Sequence, residues 1–362
     1  MKHRVDVLNF FLIWTTLWLA LTWPFQLFLF SYIVLGPLHY LTEINWLDQQ
    51  NYFLRPKDRN AFIWTMIVIV AALGICTYLP ETSNWKLTQP LHDAVYNTPH
   101  ENITGLVRWS YVLILVAFVM SSAWVLTERW LVRAAVMAFC LASTLLFYKM
   151  PTAAILFGIL LPTIIHVFFF TICFMLYGSL KAKSFWGHIN VVTMFIVLAV
   201  IAISTPGSLY GLSDRVMNLT VLSEFDKVNL GINKFLGTIG NGPLDVRSPA
   251  FLKVQAFIAF AYTYHYLNWF SKTSIIRWHR VPKKKLVFSL VVWGTSVGLF
   301  AVDYRLGFAA SFALSVLHIL LEFPLNYVSI QGVFSALVRR KKVAEMRPVP
   351  VPAQDVLMSG KN

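Results

Sequence analysis

Residues 151–177 read PTAAILFGILLPTIIHVFFFTICFMLY, with no acid, no lysine, no arginine and one histidine, His166, near the middle. A bilayer core about 30 Å thick takes roughly 20 residues of helix. Backbone polar groups in lipid must be satisfied within the segment, so a run of this length and character is a transmembrane helix. A membrane β-barrel would need alternating apolar and polar residues, which the stretch lacks. Outward from it, similar runs lie at 8–36, 61–79, 109–126, 131–148, 186–204, 251–270, 286–302 and 306–328. The expectation is an all-α, polytopic transmembrane helix bundle of about nine spans, with eight to ten as the range. It forms a single domain over 1–342, with outer loops 80–108 and 205–250 and a disordered cytoplasmic tail at 343–362 carrying Pro348, Pro350 and Pro352.

Composition agrees. Of 362 residues, 57% are apolar and 13% charged, against roughly 45–50% and about 25% in soluble domains, which excludes a water-soluble globule. The formal net charge of +14 would suggest nucleic acid in a soluble chain, but the basic residues sit in short segments between apolar runs. That is how membrane proteins fix orientation and meet anionic head groups, so the expected surroundings are a lipid bilayer and no nucleic acid. Arg55, Lys57 and Arg59, Arg129 and Arg133, Lys181 and Lys183, the loop from Lys272 through Arg277 and Arg280 to Lys285, and Arg339 to Lys342 all fall on one side if the spans alternate. That side is read as cytoplasmic, in the cell's inner (plasma) membrane, with the C-terminus inside. Lys2 and Arg4 break the pattern if 8–36 crosses once; the alternative is a break at Pro24 into a short re-entrant piece and a span from about Phe25 to Trp46. No signal peptide is expected, because the first run is too long and lacks a small-residue cleavage site. Val216, Leu219, Leu222, Phe225 and Val228 recur near helical spacing, predicting an amphipathic helix in the second outer loop. The three cysteines lie in apolar runs and read as small buried hydrophobes.

Ionisable groups at membrane depth are costly and mark functional sites. Four of the nine histidines qualify: His166, His265, His318 and, at the end of the first run, His39. All four lie in odd-numbered runs. At 1.5 Å per residue the first three sit roughly 8–18 Å from the cytoplasmic boundary, with His39 near it, so all can share one depth. His39 and His318 each have a glutamate four residues on, Glu43 and Glu322, on the same helical face. Such a carboxylate can complete a metal shell or fix an imidazole tautomer. A lone intramembrane histidine can equally bridge two helices by a hydrogen bond. Several histidines with open positions suit an iron centre that activates oxygen.

The repeated HxxxH and HxxHH boxes of membrane desaturases are absent, and so is a late-span lysine for a retinal Schiff base. Gly36-Pro37-Leu38-His39-Tyr40-Leu41-Thr42-Glu43 resembles the G-L-P-H-G-x-x-D box of the Brp/Blh-type bacterial β-carotene 15,15′-dioxygenases, with histidine and acid four residues apart in both. Proline and leucine are transposed, glutamate replaces aspartate, and Trp269 stands four residues after His265 where the family pairs histidines. The resemblance implies a multi-helix membrane enzyme in which His39 helps bind Fe(II) and O₂ splits a carotenoid.

The leading expectation is therefore a membrane-embedded iron oxygenase acting on a long apolar, carotenoid- or lipid-like substrate. Its ligands are His39, His166, His265 and His318, its catalytic groups Glu43, Glu322 and Tyr264, and its substrate contacts Phe169, Tyr266, Asn268 and Phe323. The alternatives are a membrane-bound acyltransferase with His265 or His318 as general base, and a transporter relaying protons through His and Glu.

Overall fold

The computed structural model describes residues 2–78, 101–147, 154–207, 214–222, 225–238, 245–272 and 281–338. The stretches 80–100 and 343–362, Arg277 and Arg280, and Arg339 to Lys342 lie outside these residues. Among the described residues the chain is entirely helical: α1 (Lys2–Thr22), α2 (Pro24–Gln49), α3 (Pro56–Tyr78), α4 (Glu101–Leu126), α5 (Trp130–Phe147), α6 (154–182), α7 (Phe185–Ile203), α8 (Asp214–Leu222), α9 (Phe225–Leu236), α10 (Pro249–Ser271), α11 (Lys283–Val302) and α12 (Tyr304–Val338). Six of them, α1, α2, α6, α7, α11 and α12, contain stretches long and apolar enough to cross a membrane.

The first apolar run is not one helix. Trp23 leaves helical backbone with φ −130° and ψ 64°, and Pro24 starts α2; proline lacks an N–H and disfavours helix in the residue before it. The break expected at Pro24 is present, and the second piece, Pro24–Gln49, covers the expected span from Phe25 to Trp46; the first piece, at 19 residues, is also long enough to span. The amphipathic pattern in the second outer loop forms two short helices, α8 and α9.

Side-chain placement is inverted relative to a soluble bundle. On α11 the buried residues are Ser289 and Ser296, while Val287, Phe288 and Val291 are exposed; exposed apolar surface on this scale needs lipid. Small polar residues instead bond between helices, as Ser296 does with Ser311 at 2.9 Å. Helix α10 is buried along most of its length and packs against α1 and α2. Because it touches little lipid it can carry polar side chains, and it forms the axis of the bundle.

Contacts define two ends. At one, Asn190 donates to Asp6 O (2.8 Å) and Asn9 to Ser271 Oγ (2.9 Å). The same end carries ion pairs from Asp48 to Arg59 and to Lys285, from Asp58 to Arg133, and from Glu128 to Arg55 and Lys57. At the other end Gly207 N donates to Leu21 O (2.8 Å) and Lys253 Nζ to Ala202 O (2.6 Å). Arg55, Lys57, Arg59, Arg133 and Lys285 thus gather at one end, and the start of α1 lies there with them.

Candidate metal centre

Four helices each bring ionisable side chains to one buried place. His39 lies just past residues 31–35, and His166 lies within 154–170; both stretches are wound as π-helix. A wider turn shifts the side chains that follow around the axis, and such turns recur at functional sites. In the second stretch Pro162 removes one backbone donor, which the wider winding accommodates. Helix α10 supplies His265, and α12 supplies His318 and Glu322 on one face.

The four imidazoles pack with ring centroids 4.7 Å (His39–His265), 4.8 Å (His39–His318), 5.1 Å (His166–His265) and 5.2 Å (His166–His318) apart. His39 and His265 face each other through Nε2 atoms 3.0 Å apart. Glu43 Oε2 lies 3.1 Å from His318 Nε2 and 3.3 Å from His39 Nε2. Glu322 Oε2 lies 3.3 Å from His318 Nε2 and 3.4 Å from His166 Nε2. None of the six side chains is more than 6% exposed.

Two threonines fix the edges. Thr171 Oγ1 is 2.9 Å from Val167 O and 2.7 Å from His265 Nδ1. The carbonyl can only accept, so the one hydroxyl proton goes to it, and Thr171 accepts from the Nδ1–H of His265. His265 then presents the Nε2 lone pair to the cluster, the tautomer a ligand needs. On the far side Trp269 Nε1 donates to Thr42 Oγ1 (3.1 Å), which donates to His39 O (3.0 Å).

This arrangement fits a metal ion. Neighbouring atoms bound at right angles to one ion at about 2.1 Å lie about 3.0 Å apart, close to the 3.0–3.4 Å separations here. Within the cluster, both ring nitrogens of His166 and both carboxylate oxygens of Glu322 are buried without a hydrogen bond among the described residues. Buried polar groups normally find partners, and a cation bound to one His166 nitrogen and to the Glu322 carboxylate would supply them at the face of the cluster. Two trios have ligand atoms within 4.8 Å of one another: His39, His265 and His318, and His166, His318 and Glu322. His318 belongs to both trios, so they are neighbouring parts of one cluster.

The other expected site residues are spread more widely. Tyr266 borders the cluster, its ring 5.0 Å from that of His39 and its hydroxyl 2.7 Å from Tyr40 Oη. Phe323 is buried behind Glu322 against Phe118. Two expected site residues stand apart from the cluster. Phe169 is 51% exposed on the outside of α6, and Tyr264 turns to Asn9 Oδ1 (3.3 Å) and Met175 Sδ (3.6 Å), away from the carboxylates. Asn268 lines a separate cavity. Sequence reasoning missed Tyr40, Thr42 and Thr171; a small hydroxyl inside the apolar run 151–177 was the available signal for the last. Compared with protein-family models, curated proteins and solved structures, the chain matches none.

Proposed function

We propose that this protein is a membrane-embedded, histidine-ligated iron oxygenase acting on a long apolar substrate of carotenoid or lipid type. The observation that carries the reading is the convergence of four imidazoles and two carboxylates from four helices at one dry point in a bundle built for lipid. Imidazole and carboxylate together suit first-row metals, and a histidine-rich set with open positions suits iron. The GPLHYLTE box of α2, which resembles that of the Brp/Blh-type dioxygenases, supports the same choice of metal and substrate class. When bound, Fe(II) would supply activation of O₂. His39, His166, His265 and His318 would hold it, and Glu43 and Glu322 would offset its charge in a medium where an unbalanced +2 is costly.

The protein's own part is positioning and exclusion. Thr171 holds His265 in the ligating tautomer. Tyr40 and Tyr266, joined by their hydroxyls, wall the centre on one side, while Phe118, Phe170 and Phe323 form an apolar backing that keeps water out. The substrate would enter sideways from the bilayer. We further infer ten crossings, with α1 and α2 both spanning and α3, α4, α5 and α10 completing the set. That topology puts Lys2 and Arg4 on the cytoplasmic side with the five basic segments named in the sequence, removing their exception to the positive-inside rule.

The test is oxygen uptake by iron-loaded protein in mild detergent, supplied with carotenoids and with unsaturated lipids. The expected result is substrate-dependent uptake with shortened aldehyde products from one class; iron-loaded protein that consumes no oxygen with either class would refute the reading.

A further inference from the structure

A second cavity, of about 340 Å³, lies at the basic end of the bundle between α1, α6, α7 and the end of α10. Phe174, Met175 and Asn268 line it, about one helical turn beyond Thr171 and His265, but the ligand histidines do not. Its polar groups divide by wall. On the α1 and α7 side are the Asp6 carboxylate, whose Oδ2 accepts from Ser184 Oγ and whose Oδ1 is left for a ligand, and Asn190, whose Oδ1 is a buried acceptor with no partner among the described residues. On the α10 side are Lys272 and Asn268; Asn268 is 3% exposed, and neither side chain makes a hydrogen bond or ion pair to a described residue. Asn9, between them, is by contrast fully used: it donates to Val5 O and Ser271 Oγ and accepts from Tyr264. The cavity therefore offers acceptors on one wall and donors on the other. Left without ligand or water, the buried amides of Asn190 and Asn268 would carry a cost.

We propose that this cavity binds the head group of an aminophospholipid, with the phosphate on Lys272 and Asn268 and the primary ammonium on Asp6 and Asn190 Oδ1. The size fits a phosphoethanolamine group together with some water, at about 30 Å³ per water molecule. The ammonium must carry N–H donors, because Asn190 Oδ1 lacks one, and a trimethylated choline cannot supply them. The lipid form is favoured over a soluble zwitterion because Asp6 and Lys272 stand at helix ends on the basic face, at the level where head groups lie. Gly178 and Ala182 line the chamber with little side chain; a Cβ on Gly178 would meet no atom within 4 Å, so a larger side chain there has room to reach across the cavity.

The test is retention of short-chain phosphatidylethanolamine, phosphatidylcholine, phosphatidylglycerol and soluble phosphoethanolamine by the full-length protein in mild detergent, read by native mass spectrometry. Phosphatidylethanolamine should be held about tenfold more strongly than the other two lipids, the worth of one or two charge-assisted hydrogen bonds. Lys272→Gln and Gly178→Leu should each lower its retention about tenfold, and Asp6→Asn should abolish the preference for ethanolamine over choline. Lys284→Gln, at an exposed position outside the cavity, should change nothing. Iron content should stay at the wild-type value throughout, so failure here is distinct from failure of the oxygenase reading. Equal retention of all three lipids by the wild type, or retention unchanged in folded Gly178→Leu, would overturn the proposal. Soluble phosphoethanolamine held as tightly as the lipid would overturn its lipid assignment.

Discussion

Each carboxylate of the cluster touches two histidines, Glu43 reaching His39 and His318, and Glu322 reaching His166 and His318. Glu43→Gln and Glu322→Gln keep the shape and remove the charge, and each should lower iron affinity or turnover by about 10–100-fold, the usual effect of losing a group that supports a ligand. His166→Ala should lose iron outright. Unchanged iron and activity in both glutamine variants would remove the carboxylates from the account. Thr171→Val should lower iron affinity about tenfold by freeing the His265 tautomer, and Thr171→Ser should restore it; iron titration of the two variants compares them directly. The four histidines and two glutamates were legible in the sequence because a charged or imidazole side chain inside an apolar run has few reasons to be there. Phe169 was not, because an aromatic in such a run reads the same whether it faces lipid or the bundle. Asn268, expected to contact the substrate, lines a cavity that the cluster histidines do not.

Glycines and one ion pair hold the helices in place. A Cβ on Gly36 would come within 2.8 Å of Tyr40 Oη and 3.2 Å of Tyr266 Oη. Gly36→Ala should therefore displace the tyrosine pair beside His39 and cost about 1–3 kcal/mol, the usual price of overpacking, measured by thermal unfolding in detergent. Gly332→Ala would set a methyl group into the Tyr177 ring, where α12 crosses α6, with a loss of the same order. At the basic end Arg133 grips Asp58 with both nitrogens (3.1 and 2.8 Å), donates to Thr127 O and lies 4.3 Å over Trp124. The guanidinium holds the Asp58 carboxyl below its ordinary range. The pair thus stabilises fully above the unfolded aspartate value near 4, and its contribution is lost as pH falls through the lower folded value. Asp58→Asn should be less stable than wild type at pH 7, and the gap should close on acidification below about pH 4; a gap that does not vary with pH would contradict this. The break at Trp23 was half legible, since Pro24 marks it, but proline alone does not say whether the chain continues across the membrane or turns back. The packing of Leu21 on Gly207 at the far end shows that α1 reaches it.

At the scale of the molecule, sequence periodicity and composition were enough to read a membrane bundle, because the length of a span is set by the bilayer. Which helix would sit at the centre was harder to read. Helix α10 is buried along most of its length, and its tyrosines, His265, Gln255 and Asn268 are tolerable because neighbouring helices, not lipid, surround it. The same burial makes the cluster of His39, Glu43, His166, His265, His318 and Glu322 expensive without a cation, and this gives the most direct measurement. Protein purified in mild detergent, with no polyhistidine tag and no chelator, should carry at least one equivalent of iron per chain by elemental analysis. X-ray absorption should report a shell of imidazole nitrogen and carboxylate oxygen, lost in His318→Ala. Wild-type protein that is folded and active with no bound transition metal would contradict the account.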